Sequence, residues 1–407
     1  MIILAIETSC DDTCVSVVKT PYSKDNMFEV LSNIISSQTE IHKKYGGVYP
    51  IMAKREHQQN IVPVLKKSLE RAGLLKTQNI KRKTQNNSGK FKTLEKILEQ
   101  EKVLGQQLKN FLEKYEKPKV DIIAITNGPG LEPCLWVGVN LAKALSYYWN
   151  LPIIPINHIE AHILVNWLKP INKNTKRKNQ TFRQIEFPAI CLVVSGGHTQ
   201  LILIKDIGKY KIIGETRDDA AGECFDKTAR ILGLDYPGGP IIEKQAKKYR
   251  DRVSVDFNKK EISAVLPRPM IYQKNYDFSF SGLKTAVLYS FKKEPIKIRK
   301  KEGYIQKMCY EIEQAIIDVL IAKTIKACKE YNVKTIMLGG GVAANQELGK
   351  QFKQTIKKQL PNLKFYVPTP KLCADNAVMV GVTGYCGCLK GKTKIYKNIK
   401  ANANLRI

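Results

Sequence analysis

Acids are scarce in this sequence: 37 Asp and Glu face 67 Lys and Arg over 407 residues, leaving a formal charge of +30. Long apolar runs are missing too. Met1–Ile6 and Ile190–Val194, among the longest, stop far short of the ~18 residues a membrane-spanning helix needs, so no membrane association is expected. The start, MIILAIETSCDD, has no basic stretch ahead of its apolar residues and carries acids at 11 and 12. That is unlike a secretory or organellar leader, and a cytoplasmic protein is expected. The ten cysteines include no CxxC pair. Cys10-x3-Cys14 and Cys386-x-Cys388 come nearest, and neither has the second pair that a structural zinc site requires. A chain of this length does not depend on disulfides, so buried free thiols are expected.

What is present is an ordinary globular composition, 43% hydrophobic and 26% charged, which excludes a disordered chain. The length suits two lobes plus insertions. The positive excess is clumped. Residues 76–119 hold 12 bases against 5 acids, 169–186 hold 6 against 1, and 389–407 hold 6 bases and no acid. Clustered Lys and Arg bind phosphate backbones by releasing counterions, which points to a polyanionic partner. A chain rich in Lys, Asn and Ile throughout also gains charge without any partner.

The chain repeats a plan. Ile2–Ile6, a polar turn at Glu7–Thr13 and Cys14–Val18 read as strand, turn, strand; Ala189–Val194, Ser195–Thr199 and Gln200–Ile204 read the same way. After each hairpin comes a strand, glycines and a helical segment. Val120–Thr126 leads to Asn127-Gly128-Pro129-Gly130 and Leu135–Tyr148, and Lys334–Leu338 leads to Gly339-Gly340-Gly341 and Val342–Gln346. Strands alternating with helices indicate α/β architecture, and the repetition indicates duplication. Glycines between strand and helix let a phosphate approach the helix N-terminus, though many such turns carry Gly for geometry alone. The basic segments 76–119 and 169–186 interrupt the pattern. Neither has enough apolar residues for a core of its own, so each reads as a surface insertion, a loop, helical arm or tether.

Histidine is scarce, with five in all. His158 and His162 are spaced i, i+4, which on a helix puts both imidazoles on one face, as a shared metal requires; a third ligand is then needed. The segment HIEAH is not the zincin HExxH, because Glu160 lies two residues after the first His, about 200° around the helix and off the His face. Gly387–Thr393 misses the Walker A pattern by one residue and is followed by basic coil. Four further polar clusters occur: Asp218–Lys227, Tyr236–Pro240, Phe278–Thr285 and Cys373–Ala377. Singly, each reads equally well as a cap or a turn.

Taken in order, IETSCDDT, YGGVYP, NGPGL, NHIEAH, VSGGHTQL, DDAAGECFDK, LGLDYPGGP, FSFSGLKT, GGGVAANQEL and CADNA resemble the TsaD family of tRNA threonylcarbamoyladenosine-forming transferases, once described as O-sialoglycoprotein endopeptidases. The resemblance spans nearly the whole chain apart from the two basic insertions. It implies two duplicated α/β lobes of the actin, sugar-kinase and Hsp70 (ribonuclease H-like) type around a central cleft. The boundaries expected are 1–168 for the first lobe, 169–186 for a linker, 187–384 for the second lobe and 385–407 for a basic C-terminal segment. It further implies transfer of a threonylcarbamoyl group from threonylcarbamoyl-AMP to N6 of adenosine 37, beside the anticodon, in tRNAs reading codons that begin with A, with release of AMP.

By the same resemblance, His158, His162 and Asp375 hold one metal per subunit, iron(II) by family habit and zinc as a second fit. That metal would polarise the carbonyl that N6 attacks. The backbone of Val193, Val194, Ser195, Gly196 and Gly197 would line the phosphate and acyl end, and Asp226, Gly239, Glu243 and Asn345 would hold the nucleoside. Asp11 is assigned to orienting the amine. Implied partners are tRNA, TsaB-like and TsaE-like helpers, and a TsaC-like synthase that makes the adenylate. Three departures stand out: Asp12 in place of Glu, Glu132-Pro133-Cys134 in place of small residues after GPGL, and Ala374 in place of Thr beside the metal Asp. The alternative is an actin-like nucleotide-binding regulator or partner protein without transferase activity. A His–His–Asp set argues against it.

Overall fold

The computed structural model describes residues 1–21, 27–78, 88–169, 179–255 and 266–407. Part of each basic insertion, 79–87 of the first and 170–178 of the second, lies outside the described residues. The described chain divides into two compact units: Met1–Gln38 with Val48–Gln184 and Asp375–Ile407, and Thr39–Gly47 with Ile185–Ala374. Among the described residues no helix is long and apolar enough to cross a membrane.

The first unit is built on a six-stranded sheet: β1 (Ile2–Glu7), β2 (Asp12–Lys19), β3 (Met27–Ser37), β4 (Ile122–Gly128), β5 (Ile153–Asn157) and β6 (Asn179–Thr181). Its spatial order is β5-β4-β1-β2-β3-β6. β1, β2 and β3 form an antiparallel meander, while β4 runs parallel to β1 and β5 parallel to β4. The second unit repeats this with β7 (Ala189–Val194), β8 (Thr199–Asp206), β9 (Lys209–Glu215), β10 (Thr335–Gly339) and β11 (Lys364–Tyr366), ordered β11-β10-β7-β8-β9. Again three strands meander and two are added in parallel. The duplication expected from the two hairpins is therefore present strand for strand, with β6 as the extra edge.

Strand alternation sorts the first core into two faces. Leu4, Ile6, Val15 and Val17 join Ile61 and Leu65 of the Pro50–Arg71 helix and Leu141 and Leu145 of the Glu132–Trp149 helix in one cluster. Ile3, Ala5, Val18 and Ala124 point the other way, against the Ala377–Leu389 helix. That helix carries Gly381, Gly384 and Gly387 on the sheet side. A methyl group on them would come within 2.7 Å of Val18, 2.9 Å of Ala124 and 2.5 Å of Ile154. Only glycine permits so close an approach. This fit is why residues 375–384, expected in the second lobe, belong to the first unit together with 385–407.

The reading of 76–119 as a segment without a core needs correcting for its latter half. Helices Ser88–Ile97 and Lys102–Lys114 bury Leu94, Leu98, Leu104, Leu108, Phe111 and Leu112 in the first unit's core. These side chains are too few to form a core of their own, but at i, i+4 spacing they extend one already present. Glu132-Pro133 similarly opens the Glu132–Trp149 helix, with proline in the first turn and an acid at the positive end of the helix dipole. In the second unit, helix Glu302–Glu330 packs with Gly238–Val255 and contributes Ile312, Ile316 and Leu320 to the other core. Of the ten free cysteines, eight are buried, as expected.

Integration of the insertion has a measurable consequence. Leu108→Ala removes a fully buried side chain and should cost about 2–4 kcal/mol of stability in denaturant unfolding. Val103→Ala on the same helix, where the residue is exposed, should stay within about 0.5 kcal/mol. Equal, small effects would show that the helix does not belong to the core.

Candidate metal centre and substrate turns

In the first unit the candidate metal ligands converge where β5 ends. Asn157, its last residue, caps the following helix His158–Leu164: Asn157 Oδ1 accepts from the amides of Ile159 at 2.9 Å and Glu160 at 3.1 Å. The cap starts the helix one residue before His158, so His158 and His162 project from one face into the protein. Their rings meet edge to face with centroids 4.6 Å apart. Asp375 arrives from the other end of the chain. Asn376 caps the Ala377–Leu389 helix by accepting from the Met379 amide at 3.0 Å, which stations Asp375 just ahead of that helix. Asp375 Oδ1 lies 3.5 Å from His158 Nε2 and 3.2 Å from His162 Nε2, and the potential ligand atoms all lie within 4.8 Å of one another.

Whether these residues suit a metal is tested by what their other atoms do. His162 Nδ1 is buried without a hydrogen-bond partner and Nε2 meets the Asp375 carboxylate with no well-directed hydrogen bond, an arrangement costly in a folded interior unless a further atom completes it. His158 Nδ1 lies 3.0 Å from Glu7 Oε2 and 3.1 Å from Ser9 Oγ. A proton on Nδ1 donated to the carboxylate leaves the Nε2 lone pair facing Asp375. This is the carboxylate–histidine arrangement that orients metal-ligating imidazoles. The electrostatics agree. Burial disfavours charge on His158, but Asp375 and Glu7 outweigh it and raise its pKa to about 9. Burial likewise opposes charge on Glu7, yet His158 and the hydroxyl of Thr126, which donates at 2.7 Å, hold it below the usual carboxylate range. His162, also buried, is held below its ordinary range. The pocket thus favours positive charge on His158, the same preference that would suit a cation.

Glu7, Ser9 and Thr126 were not among the residues singled out from the sequence. The signal was there for Glu7, an acid ending an otherwise apolar strand whose side chain is completely buried. Asp11 lies in the turn between β1 and β2, half-buried, with its carbonyl accepting from the Gln38 amide at 3.3 Å. Beside it, burial and then the charges of Asp11, Asp375 and Glu7 raise Asp12 to about 7, although a hydrogen bond with Ser37 pulls the other way.

The second unit carries the expected substrate residues, five of them at the end of β7 and in the turn after it. Val193 and Val194 are buried; Gly196 and Gly197 are exposed, with open space where side chains would be. The turn is closed by the Ser195 amide donating to the His198 carbonyl at 2.8 Å. Two glycines clasp it. A methyl group on Gly222 would come within 2.5 Å of the Ser195 carbonyl, and one on Gly340, at φ +88°, within 2.3 Å of the Val194 carbonyl. The motifs VSGGHT, AAGE and GGGV therefore meet. Asp226 Oδ1 accepts from the Gly238 amide at 2.7 Å, fixing the turn that carries Gly239. Glu243 Oε1 accepts from the Gln346 amide at 2.8 Å. Asn345 accepts from Leu348 at 2.7 Å and donates to the buried Glu313 at 2.8 Å. Asp218 ties FSFSGLKT to DDAAGE by accepting from both Ser279 and Ser281 hydroxyls.

Two sheets of one strand order, one unit bearing a His–His–Asp cluster and the other a glycine-clasped turn, define a duplicated α/β protein with a candidate metal centre. Comparison with known proteins narrows the class. The family model described as TsaD, tRNA N6-adenosine threonylcarbamoyltransferase, matches residues 29–81 and 101–382. Proteins carrying that name match over nearly full length: 38% identical in Persephonella marina (100% of this chain, 96% of the relative), 39% in Syntrophomonas wolfei (94% and 91%), and 37% in Thermosipho africanus (100% of both). The chain belongs to the TsaD family. The unmatched interval, 82–100, is shorter than the insertion read from the sequence.

The site yields two expectations. Glu7→Gln should weaken metal binding by about 10–100-fold, read by competition with a chelator, and His162→Ala should abolish stoichiometric binding. Retention of wild-type affinity by both would remove the metal assignment. In metal-free protein, Asp12 holds its proton more tightly when folded, so its contribution to stability is greatest below pH about 4 and is lost as pH rises towards about 7. Asp12→Asn should gain on wild type across that interval and keep the gain above it. A stability difference independent of pH would refute the raised pKa.

Proposed function

We propose that this chain transfers a threonylcarbamoyl group from threonylcarbamoyl-AMP to N6 of the adenosine beside the anticodon of tRNAs reading codons that begin with A. The observation carrying this reading is the His158–His162–Asp375 cluster, its histidines buried and backed by Glu7, in a chain that belongs to the TsaD family over its length. In the reaction the amine nitrogen bonds to the carbamoyl carbon, the bond from that carbon to the phosphate oxygen breaks, AMP leaves with the electron pair, and the amine gives up one proton.

His158, His162 and Asp375 would hold a metal, iron by their two-His, one-carboxylate chemistry with zinc also fitting, which as a Lewis acid supplies polarisation of the carbonyl. The protein's own groups do the rest. Glu7 fixes the His158 tautomer. The open backbone at Gly196 and Gly197 admits the acyl-phosphate end, and Asp226, Gly239, Glu243 and Asn345 receive the nucleoside. Asp11 orients the amine, which as a poor base gains more from position than from proton removal. TsaB-like and TsaE-like helpers complete the reading. A nucleotide-binding regulator without transferase activity gains no support from a site of this kind.

The C-terminal segment supplies an anchored polycation for the RNA. Lys394 pairs with Ile153 at the edge of β5, Ile399 is buried, and the Asn402 amide donates to the Asn127 carbonyl at 2.7 Å. Lys390, Lys392, Lys394, Lys397 and Lys400 are exposed along it.

Nucleoside analysis of tRNA incubated with the protein, threonylcarbamoyl-AMP and helper proteins tests the activity. Threonylcarbamoyladenosine should form with wild type and not with His158→Ala; no product from wild type, under conditions in which a relative is active, would overturn the reading. Changing Lys394, Lys397 and Lys400 together to Gln should weaken tRNA binding and reduce the slope of log affinity against log salt by about 2–3. An unchanged slope would remove this segment from the RNA-binding surface.

A further inference from the structure

Among the buried polar side chains that the mechanism does not use, one faces the Asp11 turn. His57, on the Pro50–Arg71 helix, is completely buried, and both of its ring nitrogens reach the turn between β1 and β2. Nε2 lies 2.9 Å from the carbonyl oxygen of Cys10, and Nδ1 lies 2.7 Å from Thr13 Oγ1. A carbonyl only accepts, so Nε2 carries the hydrogen; in the neutral ring Nδ1 is then an acceptor, and the Thr13 hydroxyl donates to it. The geometry allows one tautomer.

These two bonds straddle Asp11 and Asp12. A third restraint comes from the same helix: the Gln38 amide nitrogen Nε2 donates to the Ala53 carbonyl at 3.4 Å, one turn before His57, while the Gln38 backbone amide donates to the Asp11 carbonyl at 3.3 Å. The helix thus holds the backbone immediately before Asp11 and the side chain just after Asp12 directly, and the Asp11 carbonyl through Gln38. A residue that merely filled space would need neither a defined tautomer nor two directed bonds. We propose that His57 is a positioning residue: its imidazole clamps the Cys10 carbonyl and the Thr13 hydroxyl and so sets the direction of the Asp11 carboxylate. What Asp11 does there rests on the transferase reading; the clamp itself does not.

The substitutions separate clamp from filler. Gln at 57 keeps a donor near the position of Nε2, whereas Leu keeps bulk and no donor. His57→Leu should lower kcat for transfer about a hundredfold, as a misplacement near 1 Å can, with KM for the adenylate little changed and metal content equal to wild type. His57→Gln should recover most of the loss. Thr13→Val, which removes only the hydroxyl, should move kcat in the same direction by less and covers the case in which His57→Leu does not fold. In an Asp11→Asn background, His57→Leu should cost little more, since residues acting as a unit are non-additive. Hydrogen exchange of the peptide spanning residues 8–14 should speed up in His57→Leu and Thr13→Val but not in His57→Gln.

Full additivity with Asp11→Asn, or equal losses in the Leu and Gln variants with exchange unchanged, would overturn the proposal. If wild type makes no product while a relative does, the transferase reading fails and exchange decides the clamp: faster exchange in the Leu and Val variants sustains it, unchanged exchange refutes it.

Discussion

A carboxylate buried where a strand ends must be matched by donors or remain a large liability. Glu7 is that carboxylate, and much of the first unit is arranged to satisfy it. The Ser9 amide donates to one oxygen at 2.6 Å; the Thr126 hydroxyl and the His158 ring share the other. Thr126 comes from β4, His158 from the helix after β5 and Ser9 from the turn after β1, so one side chain ties together three adjacent strands at their common end. Removing any donor leaves the charge short in the pocket where Glu7 orients the His158 ring.

The second constraint is closeness. The Ala377–Leu389 helix can deliver Asp375 to the His pair because three glycines let it lie directly on the sheet, and the turn after β7 is held because Gly222 and Gly340 leave room for its carbonyls. In both units, the absence of side chains at a few positions lets polar groups reach their places. The same strand order serves different ends: the first turn presents acids and a buried histidine clamp, the second presents bare backbone.

The sequence disclosed a good deal of this. The repeated strand-turn-strand pattern foretold the duplicated sheets, and the i, i+4 histidines foretold one ligand pair. Asp375 was reachable only through resemblance, since no spacing rule joins residues 158 and 375. Glu7 was marked only as an acid ending an apolar strand and His57 not at all, because their partners at positions 158 and 126, or 10 and 13, are brought close by topology and leave no pattern that names them. The helices at 88–114 were misread because composition reports whether a segment can make its own core, not whether it can enlarge another. The boundary expected at 384 falls at 375 instead, because the glycine-seated helix packs on the first sheet, a long-range contact that no local pattern announces.

The division of the first unit along the chain also sets an order of events during synthesis. Its sheet is laid down by residue 181, but the helix that covers one face and the aspartate that completes the ligand set follow only after the entire second unit has been made. Until then the nascent protein holds two histidines without their carboxylate and an apolar sheet face without its cover. A chain cut short before residue 375 lacks the carboxylate of the candidate ligand set, so the His–His–Asp cluster assembles only once the second unit has been made.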